Sequence, residues 1–397
     1  MHPSRTRPWA VASLAIAWAW PGHLPVGVAR GEDRPAPGYR VEALEGISGV
    51  LDGTGMFGPN RGWFHPGQGL HGWPWLAARR DADGDGKIVL AEFRGPSGDF
   101  DRLDRDRDGA IEAEDFDWSG SSPYLRQGAP FAANFRGADA DRDGVISRAE
   151  WDALFARGVE GGLEMTPEEF RRLLTPPAPP PPPSPEVLKK READFLPPKA
   201  TLLRGIFRGE VGSIHEGPRP GRLAPEFALP TRDGSRRVTL AEFRGVKPVV
   251  LVFGCVTNWP FLSSFDQVED LNRRHGDRAA FLMVYVREVH PIDGWLMKEN
   301  EELGIAPRQP TTFAERKALA DLCATRIKAK MPVLVDGLDD RVGHLYSGMP
   351  SRLYVIDKEG HVTYQSGRGP FGFKPGEMEQ ALLLTLMANP SAEVGAK

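Results

Sequence analysis

Cysteine is scarce in this sequence, with two residues of that type among 397. So few cysteines exclude a disulfide-rich scaffold and a cysteine-rich zinc domain. Basic residues are not in excess either: 50 lysines and arginines stand against 54 acidic residues, so no large basic surface for nucleic acid is expected. Hydrophobic residues make up only 40% of the chain, which excludes a multi-span membrane protein. The length predicts two or three domains.

The N-terminus has the features of an export signal. Residues 1–8 carry Arg5 and Arg7 and no acid, and an uncharged apolar run follows from Trp9 to Trp20. This run is too short to cross a bilayer comfortably, since a spanning helix needs about 20 such residues. Small residues occur near Ala29. We therefore predict a signal peptide over residues 1–29 and a secreted or periplasmic protein, with a retained N-terminal membrane anchor as the alternative.

Proline clusters mark the division of the mature chain. The run PPAPPPPPSP within residues 175–185 predicts an extended polyproline II linker, a semi-rigid spacer that would hold the flanking modules apart. Residues 30–70 are rich in glycine and proline and predict an irregular segment, and residues 186–222 predict a bridging segment with a short helix around 186–195.

Three acidic loops between residues 71 and 174 have the twelve-residue spacing of EF-hand calcium loops. Carboxylates at loop positions 1, 3 and 5 converge on one hard cation, glycine at position 6 makes the sharp turn, position 7 offers a backbone carbonyl, and an acid at position 12 closes the sphere. We expect Ca²⁺ as the cofactor of an all-α EF-hand domain. The predicted ligands are Asp81, Asp83, Asp85, Lys87 and Glu92; Asp104, Asp106, Asp108, Ala110 and Asp115; and Asp139, Asp141, Asp143, Val145 and Glu150.

The second loop ends in Asp115, which is one methylene shorter than glutamate, so weaker calcium binding is expected there. Residues 158–169 repeat the exit half of such a loop without its early carboxylates, which predicts a degenerate fourth loop that pairs structurally but holds no calcium. A dockerin-type module, which repeats similar loops to dock a protein partner, is the alternative interpretation.

The second half of the chain alternates apolar strands with amphipathic helices, the pattern of an α/β domain. Strands are predicted at 248–253, 280–285, 332–336, 352–357 and 361–365, with helices at 260–274, 312–330 and 375–387. This order is that of thioredoxin folds, in which the first strand-to-helix turn carries the redox residue and the helix N-terminus stabilises a thiolate. We predict a multi-domain protein: an all-α EF-hand domain followed by an α/β thioredoxin-like domain over residues 223–389.

Several segments of this second domain resemble the iodothyronine deiodinase family. They are FGCVTNWPF from Phe253, FLMVY from Phe281, EVHPIDGW from Glu288, MPVLVD from Met331, RLYVID from Arg352 and GRGPFGF from Gly367. The resemblance covers roughly residues 215–389. It implies a thioredoxin-like fold and an oxidoreductase that removes iodine reductively from thyroid hormones with a selenocysteine or cysteine.

The sequence departs from that family at the position of the chalcogen, where it has Asn258. An amide forms no selenolate or disulfide, although asparagine is a favoured helix N-cap. Cys255 is a candidate substitute nucleophile, with Cys323 as a candidate resolving partner, and two separately packed thiols are the alternative. Pro332 matches the cis-proline that thioredoxin folds place beside the turn. The resemblance also implies His290 as a proton donor or substrate contact, and a structural histidine that bonds loop backbone is the alternative.

Three functions therefore remain open. The first is an exported, calcium-binding oxidoreductase with weak or altered activity on an unknown small molecule or a thiol or disulfide. The second is a non-catalytic relative in which the thioredoxin-like domain only binds. The third is an extracellular adaptor whose dockerin-like loops hold a protein partner.

Overall fold

The computed structural model describes residues 65–119, 122, 138, 140, 146–159, 162, 164–174, 199–207 and 216–388. The predicted signal peptide, the polyproline linker and the helix predicted around 186–195 lie outside these residues. Among the described residues, no helix combines the length and the apolar character needed to cross a membrane.

The first acidic region contains short helices joined by loops and one small ladder. Its elements are β1 (Gln68–Gly69), α1 (Trp73–Arg80), β2 (Ile88–Val89), α2 (Leu90–Phe93), α3 (Ser97–Leu103), β3 (Ala110–Ile111) and a 3₁₀ turn (Ala113–Phe116). Strands β2 and β3 pair antiparallel, with Ile88 opposite Ile111. These two residues occupy position 8 of the first two loops, so the ladder joins those loops into a pair. The expectation of an all-α domain is therefore met only in part.

Two further helices follow, α4 (Arg148–Gly158) and α5 (Pro167–Leu174). They flank the degenerate fourth loop and pack against each other around an apolar cleft that includes Trp151, Phe155 and Phe170. Thr166 N donates to Glu169 Oε2 at 2.8 Å. The exit half of the fourth loop thus keeps its local hydrogen bond although its early carboxylates are missing. A short helix α6 (Lys199–Phe207) lies in the bridging segment.

The α/β domain is built on a six-stranded mixed sheet. In chain order its elements are β4 (Ala228–Pro230), β5 (Arg237–Thr239), β6 (Val249–Gly254), α7 (Trp259–His275), β7 (Ala280–Tyr285), α8 (Lys298–Glu302), α9 (Phe313–Arg326), β8 (Val333–Val335), α10 (Arg341–Leu345), β9 (Arg352–Ile356), β10 (Val362–Gln365) and α11 (Pro375–Ala388). The strand order is β1-β10-β9-β6-β7-β8. Strands β6, β7 and β8 are parallel, and β9 and β10 are antiparallel to their neighbours. This is the thioredoxin-like topology.

The central strands read as continuous apolar runs because helices cover both faces of the sheet. Every residue of β6 and of β7 is buried. The parallel connection from β6 through α7 to β7 brings the head of α7 to the carboxyl edge of the sheet, where ligand sites of α/β folds occur.

The predicted strands and helices of this domain are present, with ends shifted by a few residues; the helix predicted to end at 330 ends at Arg326. The hairpin β4–β5 and the helices α8 and α10 lie where no element was predicted. Within the segment predicted to be irregular, β1 pairs with β10 and adds an edge strand to the sheet. Two residues are too few to give a period, so the sequence pattern alone did not predict this strand.

Candidate functional sites

The first two acidic loops fold as equivalent cation loops. The three carboxylates at positions 1, 3 and 5 have oxygens within 4.8 Å of one another, in one loop Asp81, Asp83 and Asp85 and in the other Asp104, Asp106 and Asp108. At position 6, Gly86 and Gly109 have φ of +85° and +96°, a region that side chains strongly disfavour. The predicted role of these glycines in the turn is thereby explained.

The acid at position 12 closes each loop with the same pair of hydrogen bonds. In the first loop Glu92 accepts from the N–H groups of Ala82 and Val89, both at 3.1 Å. In the second loop Asp115 accepts from Arg105 N at 2.7 Å and Glu112 N at 2.8 Å. The shorter side chain reaches both groups because the exit element here is a tight 3₁₀ turn rather than an α-helix.

Asp104 shows that the second loop suits a cation. It is 5% exposed, and its Oδ1 is buried without a hydrogen-bond partner, while Oδ2 accepts from Gly109 N at 3.0 Å. Burial raises the pKa of this carboxyl, and Asp106 and Asp108 act in the same direction. A buried, unpartnered carboxylate oxygen surrounded by acids is suited to a hard cation such as Ca²⁺. The carboxylate oxygens of the first two acidic loops therefore fit the predicted Ca²⁺.

The third loop lies largely outside the described residues, including the predicted ligands Asp139, Asp141, Asp143 and Val145. Its closing acid is described: Glu150 accepts from Ala140 N at 2.7 Å and from Ser147 N at 2.8 Å. This pair of bonds matches the one found at position 12 of the first two loops.

In the α/β domain, Asn258 caps α7 and is 3% exposed. Its Oδ1 accepts from Phe261 N at 3.4 Å, and its Nδ2 donates to the carbonyl of Pro350 at 3.0 Å. Both polar ends of the amide are thus engaged in structural bonds. Asn258 thus fixes the start of α7 to the loop before β9.

The prediction that Pro332 is the cis-proline is wrong. The Met349–Pro350 bond is cis and Met331–Pro332 is not. Pro332 precedes β8, which is separated from β6 by β7, whereas Pro350 precedes β9, the direct neighbour of β6. Of these two prolines, Pro350 therefore lies beside the turn that follows β6, and its carbonyl accepts from Asn258 Nδ2. Pro332 itself is exposed, and its carbonyl accepts from Met283 N at 3.0 Å.

Cys255 lies directly before the turn but is fully buried. Its Sγ is 3.7 Å from Thr257 Oγ1. Burial raises the pKa of the thiol far above its ordinary value, and the nearby Glu288 acts in the same direction. Cys323 is also buried, its pKa is likewise raised by burial, and both cysteines are free thiols. A thiolate is the reactive form of cysteine, so neither environment favours redox chemistry.

A buried polar network, which no pattern in the sequence predicted, lies beneath the turn. Glu288 accepts from Thr257 N at 3.0 Å and from Thr257 Oγ1 at 2.7 Å, and Tyr285 OH also donates to this carboxyl. Burial raises the pKa of Glu288, against the effect of these donors. The sequence feature that could have pointed to this network is the position of Tyr285 and Glu288 at the end of a predicted buried strand. Their mutual contact depends on tertiary structure.

His290 contacts this network through its backbone, since its N–H lies 3.2 Å from Thr257 Oγ1. Its half-buried ring places Nδ1 2.9 Å from the carbonyl of Trp295, and the two rings meet edge to face at 4.7 Å. These contacts are the ones expected of a structural histidine that bonds loop backbone, which was the alternative interpretation of His290. They hold the ring beside the turn.

The fold and these sites define a protein that joins EF-hands to a thioredoxin-like domain, and comparison with known proteins gives the family. A family model described as iodothyronine deiodinase matches residues 192–384, and one described as EF hand matches 98–117 and 132–156. Thyroxine 5-deiodinase of Gallus gallus is 31% identical over 195 residues, which cover 48% of this chain and 74% of that protein. The chain belongs to the iodothyronine deiodinase family.

Other similarities are more partial. Thyroxine 5-deiodinase of Aquarana catesbeiana is 32% identical over 45% of this chain and 65% of its own length, just under two thirds. Among solved structures, an exposed lipoprotein thioredoxin of Streptococcus pneumoniae has 21% identity, covers 40% of this chain and 98% of its own, and gives a TM-score of 0.28. The thioredoxin domain of a thiol-disulfide oxidoreductase from Bacteroides vulgatus has 16% identity, covers 43% of this chain and 96% of its own, and gives a TM-score of 0.29.

Proposed function

We propose that this chain is an exported, calcium-binding member of the deiodinase family whose thioredoxin-like domain binds a ligand and has weak oxidoreductase activity or none. The observation that carries this proposal is the pair of structural hydrogen bonds made by Asn258 at the family's redox position. The N-terminal basic and apolar segment of the sequence supports export.

Calcium would be held by the paired loops through the carboxylates of positions 1, 3 and 5, the carbonyls of Lys87 and Ala110, and the closing acids Glu92 and Asp115. The third loop adds a further site by sequence, closed by Glu150. When bound, the ion supplies positive charge that neutralises each acidic cluster. Extracellular calcium is abundant enough to fill even weak sites of this kind.

Turnover measurements on the full chain test the part of this proposal that concerns weak or absent oxidoreductase activity. Thyroxine, named by the relatives, and a small aromatic disulfide serve as probes, with dithiothreitol as reductant. We expect iodide release and disulfide reduction at the background rate, unchanged in Cys255→Ser and Cys323→Ser. Turnover well above background in all of these variants would contradict the proposal, because no thiol of the chain would then be required.

A second candidate, a thiol-dependent oxidoreductase acting through Cys255, is favoured by one observation. The Sγ of Cys255 contacts Thr257, which bonds Glu288, so a proton acceptor lies near the thiol. This candidate predicts turnover in the wild type that disappears in Cys255→Ser and persists in Cys323→Ser. The same assay therefore separates the two candidates.

A further inference from the structure

The exit segment of the second acidic loop is bonded to the C-terminal helix α11 of the thioredoxin-like domain. Gln380 Nε2 donates to the carbonyl of Asp115 at 3.0 Å, and Trp118 Nε1 donates to Gln380 Oε1 at 2.8 Å. Lys374 Nζ donates to the carbonyl of Trp118 at 3.0 Å. The residue that closes the loop and the segment that follows it are thus held by Gln380 of α11 and by Lys374, which directly precedes that helix.

The same two regions share a hydrophobic core. Leu383 and Leu384 of α11 lie in one buried cluster with side chains of the acidic region, which are Leu76, Ile88, Phe93, Phe100, Leu103 and Ile111. Ile88 and Ile111 are the residues that pair the two loops. At the margin, Arg278 makes two hydrogen bonds of 2.8 and 2.9 Å to the buried carboxylate of Asp99. A paired ionic contact and a continuous apolar core make this a fixed interface.

From α11 the contacts continue to the turn at Asn258. Lys374 directly follows Phe373, whose ring meets the ring of Phe261 edge to face at 5.6 Å. The N–H of Phe261 in turn donates to Asn258 Oδ1. A single chain of packed groups therefore connects the closing residue of the second loop with the residue at the family's redox position.

We propose that calcium binding in the second loop is coupled through α11 to the Asn258 turn, so that calcium controls the order of the ligand-binding end of the thioredoxin-like domain. The coupling rests on the proposed calcium function. On binding, the ion would draw toward itself the Asp115 carboxylate, which accepts from the N–H groups of Arg105 and Glu112. That motion acts on a segment anchored to Gln380 and Lys374. Coupling between sites of this kind changes an equilibrium by about 5- to 150-fold.

Hydrogen exchange of the full chain, with and without millimolar calcium, tests the coupling, and a calorimetric calcium titration measures metal binding separately. We expect calcium to slow amide exchange at least fivefold in peptides covering 256–262 and 371–382. Gln380→Leu removes both hydrogen bonds of a buried side chain at similar volume. It should still bind calcium but lose the protection at 256–262. Gln267→Leu, the same change at an exposed site of α7, should behave as wild type.

Calcium binding without protection at 256–262 in the wild type would overturn the coupling and leave the calcium function intact. Protection that survives in Gln380→Leu would also overturn the proposed route. If Gln380→Leu does not fold, Lys374→Met tests the second anchor with the same expected loss. Absence of calcium binding in the wild type would overturn the calcium function and the coupling together.

Discussion

A residue at the head of a helix can serve structure or redox chemistry, and the same local physics underlies both. Free N–H groups at the first turn donate either to the oxygen of an N-cap side chain or to a thiolate. In this chain the position is occupied by Asn258, whose amide bonds Phe261 N and the carbonyl of Pro350. The buried Glu288 and Tyr285 lie below the turn and give it polar surroundings.

Replacing Asn258 by cysteine should therefore introduce a reactive thiol. The helix N-terminus favours the thiolate, so we expect the pKa of the new thiol to lie below the ordinary value of about 8.5. Thiol-dependent turnover should rise at least tenfold over wild type. The pH dependence of alkylation measures the first effect, and the disulfide assay measures the second.

The background for this experiment is Cys255→Ser/Cys323→Ser, so that the signal comes from one sulfur. Asn258→Ser in the same background is the control for loss of the Pro350 contact, which should cost about 1 kcal/mol of stability. A pKa at or above that of a free thiol would show that the turn does not activate sulfur.

The sequence predicts this turn because a buried strand, a short loop and a helix with proline near its start follow one another in the chain. It did not locate Pro350, since the loop before β9 is far away in sequence and meets the turn only when the sheet forms. The sequence was equally unable to show whether Cys255 can act as a nucleophile. A pattern places a cysteine at the end of a strand but does not say whether the sulfur faces the core.

At the scale of elements, the paired loops show how much a repeated spacing predicts. Carboxylates, glycine and closing acid all lie where the twelve-residue pattern puts them, because each contact is local in the chain. The pairing of the first loop with the second depends on β2 and β3, two residues each, which have no visible period. The twelve-residue pattern also did not predict the 3₁₀ turn after the second loop, which lets Asp115 close that loop.

The closing acid of the second loop gives a direct test of metal affinity. Asp115→Glu adds one methylene, so the carboxylate can offer both oxygens to the ion, and we expect about tenfold tighter calcium binding at this site. Calorimetric titration of the full chain gives the affinity. Asp117→Glu, a similar change just outside the loop, is the control and should leave binding unchanged. Equal or weaker binding by Asp115→Glu would show that the 3₁₀ exit already gives the best closure.

The edge strand β1 should respond to pH through His65. Burial, together with the positive charges of Arg352, Arg368 and Arg219, lowers the pKa of His65 to about 4. Between about pH 6.5 and pH 4 the unfolded segment thus binds more protons than the folded one. The stabilisation from neutral His65 is full above pH 6.5 and is lost as the pH falls toward 4, at a cost of about 1–3 kcal/mol.

Hydrogen exchange of residues 66–72 at matched intrinsic rates measures this loss. We expect β1 to detach from β10 on acidification in the wild type, and His65→Gln to lack the dependence in this interval. His344→Gln, at a histidine on α10 away from this edge, is the control. A pH response that persists in His65→Gln would assign the titration to another group.

At the scale of the whole molecule, the linker composition led to the wrong expectation for the first pair of loops. A polyproline spacer predicts modules held apart, yet residues 65–119 share a core with α11 and add a strand to the sheet. The relevant signal lay in α11 itself. Its apolar residues face both ways: Met378 and Leu382 join the core of the sheet, and Leu383 and Leu384 join the acidic region. A helix apolar on all sides has to be covered on all sides.

This shared helix predicts that the first loop pair and the thioredoxin-like domain unfold together. Leu383 is fully buried in the common cluster, and its replacement by alanine should cost about 2–5 kcal/mol. In urea, with hydrogen exchange as the readout, peptides from 73–116 and from 249–285 should lose protection at one midpoint in the wild type. That common midpoint should fall in Leu383→Ala. Leu322→Ala, at an exposed position of α9, is the control and should shift it by well under 1 kcal/mol. Two separate midpoints, of which the substitution moves only one, would mean that the interface is too weak to join the regions, and calcium could then stabilise only its own loops.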